Sequence, residues 1–257
     1  MDKKPIFYIH IPKTSGNTIK QIYSEHNIYL GEPYWKDLKK KIPKYYDHLL
    51  KEKYYNILIN YNNTNHHNIV IWHIPMAFWK DDIVHQFKQK YNIFCIVRNP
   101  YDRIVSDFKY WIKFYKNMSI GKLKYYYKNL LDEVLQIYDN NFELSEHNLN
   151  RIITKLLSND KFKYKLDGHL IPQYKYVFKK INEKNIQIPN HILKLENINN
   201  DFNKFKNKYS KFIKDDIMLQ IHRNKSEFSL SKNSLYPETK NLIYKYYEKD
   251  FKYFGYK

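Results

Sequence analysis

Short apolar runs interrupt an otherwise polar chain, and their spacing sets the elements to expect. The run Pro5-Ile6-Phe7-Tyr8-Ile9-His10 is β-branched and aromatic and predicts a first strand. A loop follows over residues 11–16, then a helix over residues 17–25 with Asn17 or Thr18 placed to cap it. Residues 34–53 are charged and aromatic and read as helical with a break at Pro43, and residues 60–68 read as a polar turn region. The runs at residues 68–72 and 93–97 fit strands buried on both faces of a parallel sheet. The stretch 81–90 between them fits a crossover helix, so the three imply a right-handed βαβ unit. From residue 101 to 115, apolar side chains recur at Ile104, Val105, Phe108, Trp111, Ile112 and Tyr115, a helical spacing. Further helices are expected over 123–138 and 148–157, a final strand over 191–195 and one closing helix over 237–253. No repeat is present. The expected architecture is one α/β domain spanning residues 1–257, a central parallel sheet with flanking helices.

Composition narrows this picture. A chain of 257 residues can bury one sizeable α/β core, and no glycine- or proline-rich linker divides it. The first apolar stretch is interrupted by Pro12 and Lys13, too early for a signal peptide, and no later run approaches bilayer length, which predicts a soluble, intracellular protein. The single cysteine, Cys95, lies in the apolar run Ile93-Phe94-Cys95-Ile96-Val97 and reads as a buried thiol in a reducing compartment.

The formal net charge of +19 invites a polyanion partner. The chain is also loaded with Lys, Asn, Ile and Tyr and poor in Gly, Ala and Arg, the pattern an AT-rich coding sequence produces. The charge therefore divides between compositional drift and anionic substrates, and no nucleic-acid partner is expected. Arginine is more informative: only Arg98, Arg103, Arg151 and Arg223 stand among the 45 Lys and Arg residues, which suggests positions that need a planar, bidentate guanidinium.

Two segments carry the chemistry. His10-Ile11-Pro12-Lys13-Thr14-Ser15-Gly16-Asn17-Thr18 sits between a strand and a helix, where backbone N–H groups and the positive helix end hold anions. Lys13 adds a charge, Gly16 lets the backbone approach closely, and Thr14, Ser15 and Thr18 offer hydroxyls. This is a phosphate-binding loop without the Walker A order, since the lysine precedes the glycine. In Ile96-Val97-Arg98-Asn99-Pro100-Tyr101-Asp102-Arg103-Ile104-Val105-Ser106-Asp107-Phe108, Pro100 starts a helix and Arg98 emerges at a strand's carboxyl end, where open α/β sheets bind ligands. Ser106, two turns into the helix, would join Arg98 in clamping a phosphate monoester. The competing reading pairs Arg98 with Asp102 or Asp107, and Arg103 is expected to be solvated.

These segments resemble those of sulfotransferases that use 3′-phosphoadenosine 5′-phosphosulfate (PAPS), a family whose core is similar to that of nucleotide kinases. Residues 10–18 look like the 5′-phosphosulfate loop and residues 96–108 like the 3′-phosphate motif. Leu193-Lys194-Leu195-Glu196-Asn197-Ile198 with Asp201-Phe202 is similar to the family's late strand and acidic turn, and Tyr246-Tyr247-Glu248-Lys249-Asp250-Phe251 with Phe254-Gly255-Tyr256 to its C-terminal helix ending. The nearest likeness is to the carbohydrate sulfotransferases, including the heparan sulfate 2-O-sulfotransferase group. Ser15 and Asn17 depart from the residues the family more often has there. The resemblance implies PAPS as donor, a hydroxyl acceptor on a saccharide, and a catalytic histidine after the strand at 68–72.

His73, in Trp72-His73-Ile74-Pro75, matches that histidine, and histidine as a residue type suits a general base near neutral pH. Resemblance also puts His169 and Gln173, in Asp167-Gly168-His169-Leu170-Ile171-Pro172-Gln173, beside the acceptor, and Arg223 and Lys225 in a loop covering the nucleotide. His10 and the pair His66-His67 read as structural or solvated. Trp35, Trp72, Trp79 and Trp111 offer faces on which sugar rings stack. No histidine–carboxylate or cysteine grouping has metal-ligand spacing, so no metal is expected. The rival readings are an ATP-dependent phosphotransferase on the same core and a non-catalytic polyanion-binding protein.

Overall fold

The computed structural model describes residues 4–16, 18–19, 51, 73–116, 145–164, 166–211, 213 and 229–257. Apart from Lys51, the elements expected over residues 34–53, 60–68, 68–72 and 123–138 lie outside them, as do Trp35 and Trp72. The described elements are β1 (Ile6–Ile9), α1 (Asp81–Lys90), β2 (Asn92–Val97), α2 (Pro100–Lys116), α3 (Glu146–Leu157), α4 (Tyr174–Val177), β3 (Phe178–Ile181), β4 (Lys184–Gln187), β5 (His191–Lys194), α5 (Ile198–Lys208), α6 (Pro237–Tyr246) and α7 (Glu248–Phe254). They fall into two compact units, Met1–Arg98 with Tyr164–His222, and Asn99–Lys163 with Arg223–Lys257.

The first unit holds a parallel sheet in the order β1-β2-β5, with Ile6 beside Asn92 and Phe94 beside His191. Every residue of β1 and β2 is buried, as expected of strands covered on both faces. One face presents Ile6, Tyr8, Phe94, Ile96 and Leu193 to Ile198, Phe202 and Phe205 of α5 and to Ile19. On the other, Phe7 meets Phe87 of α1 edge-on, with ring centroids 5.1 Å apart. Each such side chain taken out of water contributes about 1.5–3 kcal/mol. Cys95 is fully buried, and burial pushes its thiol well up, so it stays protonated.

The hairpin β3–β4 was not foreseen in the residue pattern. Its turn, Asn182-Glu183, has both φ angles positive (46° and 64°), as a two-residue turn matched to strand twist requires. Lys179 on β3 is 1% exposed and donates to the Trp79 carbonyl and, at 2.8 Å, to Asp81, so it anchors the hairpin to the first turn of α1.

His191 on β5 packs against the edges of Phe205 and Tyr209, with Nε2 2.9 Å from the Tyr209 hydroxyl. Burial, and then the Lys208 ammonium, hold its pKa below the usual 6.5. Above that value the ring is neutral folded and unfolded. As pH falls below about 6.5 the unfolded chain takes up a proton that the fold resists, and stability drops until the folded-state pKa is passed. Thermal melts of the parent should therefore decline from pH 7.5 to about pH 5, and His191→Gln should flatten that slope. An unchanged slope would place the pH sensitivity elsewhere.

The second unit is helical. α2 buries Ile104, Val105, Phe108, Trp111 and Ile112, the spacing expected, and α3 buries Leu149, Ile152, Ile153, Leu156 and Leu157. α3 begins at Glu146, two residues before the expected start, because Ser145 caps it by accepting from the Asn148 amide. The buried Asn150 donates to the Ser234 carbonyl at 2.8 Å and accepts from the Tyr236 amide at 2.8 Å, which fixes the approach to α6. The closing helix is two helices, interrupted at Tyr247, whose carbonyl accepts from both Asp250 and Phe251. Gly255 in the left-handed region (φ 63°) ends α7.

Arg103 is not solvated. It is 2% exposed, with its guanidinium 5.8 Å from the centre of the Tyr247 ring, and the buried Asp107 and Asp250 act on the same tyrosine. Trp79 and Trp111 are core residues at 1% and 3% exposure, so neither offers a face for a sugar. Among the described residues no helix is long and apolar enough to cross a membrane.

Candidate functional site

The site in the first unit grows from the carboxyl ends of β1 and β2, which pair in parallel and so deliver their following loops to the same sheet edge. After β1 the chain turns through Lys13 (φ 66°) and Ser15 (φ 78°), the only two residues of 11–16 with positive φ. Alternation of the sign of φ across Lys13, Thr14 and Ser15 is the backbone pattern of an anion-binding nest, in which successive N–H groups converge. Left-handed conformations in non-glycine residues are strained and concentrate at functional loops.

A helical turn opens at Gly16, with the Ile19 amide bonded to the Ser15 carbonyl. This start is earlier than the caps expected at Asn17 or Thr18, so Thr18 lies within the first turn; Asn17 is outside the described residues. The Thr14 hydroxyl is fully buried and donates to the Ile11 carbonyl at 2.8 Å, which closes the loop on itself rather than offering that proton to a ligand. Gly16 has a steric reason: a Cβ there would overlap the imidazole of His10.

Arg98 follows β2. Its guanidinium donates to the Lys13 carbonyl at 3.3 Å, so the two basic motifs meet. Gln173 is fully buried and grips the backbone of Arg98 from both sides: its Oε1 accepts from the Arg98 amide at 2.9 Å and its Nε2 donates to the Arg98 carbonyl at 2.7 Å. The residue that resemblance puts on the acceptor side thus also fixes the arginine's main chain.

Three histidines form a row. His10 meets His73 edge-on with ring centroids 4.8 Å apart, and His73 meets His169 at 5.3 Å. Both His73 and His169 are 7% exposed. His73 Nδ1 lies 2.9 Å from Asp167 Oδ2 and 3.1 Å from the Asp167 carbonyl. The Tyr176 hydroxyl, also buried, sits 2.9 Å from the His73 carbonyl and 3.3 Å from that of Gly168, tying the two segments together.

His10, expected to be structural or solvated, packs edge-on against His73 and over Gly16. The pattern of residues missed one member of this group. Asp167 is 94 residues from its partner, and only the fold reveals it. His73, Asp167 and His169 also bring one ligand atom each within 4.8 Å of one another, a set able to hold a metal ion that no local spacing discloses.

Ser106 lies half-buried on α2 in the second unit. There Asp102 pairs with Lys232 at 3.6 Å and Asp107 joins the buried cluster at Tyr247. Arg223 and Lys225 are outside the described residues.

No curated protein and no solved structure matches the chain. A family model described as the sulfotransferase family matches residues 1–257.

Proposed function

Because the chain belongs to the sulfotransferase family, we propose that it moves a sulfuryl group from PAPS to a hydroxyl of a carbohydrate acceptor, as a single domain over residues 1–257. The observation that carries the donor assignment is the meeting of the Arg98 guanidinium with the main chain of the Lys13 loop, whose φ angles are positive at Lys13 and Ser15, at one sheet edge. That chemistry suits a nucleotide with anionic groups at both its 5′ and 3′ positions.

In this reading the amides of residues 14–18 hold the 5′-phosphosulfate, Arg98 and Ser106 take the 3′-phosphate, and Arg223 and Lys225 cover the nucleotide. His169 faces the acceptor, and Gln173 serves the donor side through Arg98. As the acceptor oxygen bonds to sulfur, its proton passes to His73 Nε2. The electron pair of the breaking S–O bond leaves with the 5′-phosphate oxygen, where the Lys13 ammonium offsets the growing charge. No metal is needed for this step. One buried, protonated cysteine suits a reducing, intracellular setting.

The test is ligand stabilisation. Adenosine 3′,5′-bisphosphate should raise the melting temperature without magnesium, and more than ADP or ATP does, since only it presents a 3′-phosphate to Arg98. At about 100 times its dissociation constant the gain should be roughly 2.7 kcal/mol. Arg98→Ala should remove most of the preference over ADP. Stronger stabilisation by ATP with magnesium would replace this reading with phosphoryl transfer. A screen of saccharide, tyrosyl-peptide and small-alcohol acceptors with labelled PAPS tests the carbohydrate assignment.

A further inference from the structure

We infer that Asp167 is a positioning residue for His73: it holds the ring in the tautomer that puts the lone pair on Nε2, the nitrogen that takes the acceptor's proton, and its carboxylate stabilises the imidazolium that results. The inference rests on the reading of His73 as the base. Its first support is hydrogen-bond logic. Both atoms facing Nδ1, a carboxylate oxygen at 2.9 Å and a backbone carbonyl at 3.1 Å, can only accept. Nδ1 must therefore carry a hydrogen, and in the neutral ring the lone pair then belongs to Nε2.

The second support is the backbone that delivers the carboxylate. Leu166, Asp167 and Gly168 all have positive φ, at 55°, 54° and 73°. A leucine and an aspartate in the left-handed region are held there only when their surroundings over-determine them. The clamp is visible: the His169 amide bonds to the Leu166 carbonyl at 3.1 Å, the Ile171 amide bonds to the Gly168 carbonyl at 3.0 Å, and the Tyr176 hydroxyl bridges this turn to the His73 carbonyl. The strained turn aims the carboxyl group and its own carbonyl at one nitrogen. A carboxylate so placed gains importance during transfer, since His73 becomes cationic only as it takes the proton; the balance is one proton from the acceptor oxygen to Nε2, while that on Nδ1 stays in place.

Asp167→Asn is the suitable variant, because asparagine tolerates the left-handed backbone and keeps the side chain's size while removing its charge. Nitrogen-15 spectra of histidine-labelled parent protein, with the His73 signal identified by its loss in His73→Gln, should show the neutral ring protonated on Nδ1. Asp167→Asn should lower kcat by about 10-fold or more, within the roughly 100-fold scale of the base itself, leaving the KM for PAPS within about two-fold and the melting temperature close to that of the parent. A neutral His73 protonated on Nε2 would overturn the proposal. So would Asp167→Asn turning over like the parent while His73→Ala is impaired, an outcome that leaves the base assignment standing. Parental turnover in His73→Ala would instead remove the base assignment and the role of Asp167 with it.

Discussion

His73→Ala is expected to lower turnover by roughly 100-fold or more while leaving affinity for adenosine 3′,5′-bisphosphate nearly unchanged. The expectation follows from where the ring sits. His73 is almost fully buried, is oriented through Nδ1, and meets His10 edge-on, while Lys13 and Arg98 are joined by a hydrogen bond of their own that its removal leaves in place. Alanine also leaves a void between His10 and His169, which could let either ring move. The measurement is therefore paired: turnover with labelled donor at saturating concentration, and the thermal shift produced by the bisphosphate. Lost turnover with a preserved shift supports the base role. Turnover like the parent's would make His73 a packing residue and turn attention to His169.

The largest stability effect should come from the second unit. Arg103→Met is expected to destabilise the protein by about 3–5 kcal/mol, a large fraction of the 5–15 kcal/mol typical of a domain. Arg103 is buried, and so are Asp107, Asp250 and the Tyr247 ring over which it lies. Burial raises the Tyr247 hydroxyl well above its usual pKa, Arg103 opposes that, and Tyr246, Asp250 and Asp107 reinforce it, so these charges share one neighbourhood. Methionine fills much the same volume but leaves two buried carboxylates facing less positive charge, each costly to keep ionised in a low dielectric. Arg103→Lys should lose less, since a cation remains without the planar fork. Urea unfolding at neutral pH reads both variants. A loss below about 1 kcal/mol for Arg103→Met would mean that the carboxylates draw their compensation from elsewhere.

Why some of this was legible and some was not depends on the range of the interactions. β1 and β2 announce themselves as short continuous apolar runs and α1 and α2 by apolar residues at helical spacing, and Lys13 and Arg98 could be placed at one sheet edge because each lies in the segment that follows a buried strand. The hairpin β3–β4 had no such signal: Phe178-Lys179-Lys180-Ile181 looks polar, and the residue it buries is a lysine, held by Asp81. The interruption at Tyr247 is likewise hidden, since a tyrosine fits the helical pattern of residues 237–253 and the break is seen only in the fold. Arg103 was misjudged because the ring over which it lies, Tyr247, is near the other end of the chain. Asp167 escaped notice for the same reason. A carboxylate next to a glycine reads as turn chemistry until the fold sets it against a histidine.

The interleaving of the two units has a bearing on biosynthesis. β1 emerges from the ribosome long before β2, β2 long before β5, and α6 and α7 of the second unit follow later still. No contiguous fragment shorter than most of the chain contains either unit whole. The β1-β2-β5 sheet cannot close until β5 has been made, and parallel strands paired over such separations form slowly. The nascent chain, rich in tyrosine and lysine, therefore spends much of its synthesis with that sheet unpaired, and the burden of keeping it from aggregating falls on chaperones rather than on early folding of an N-terminal half.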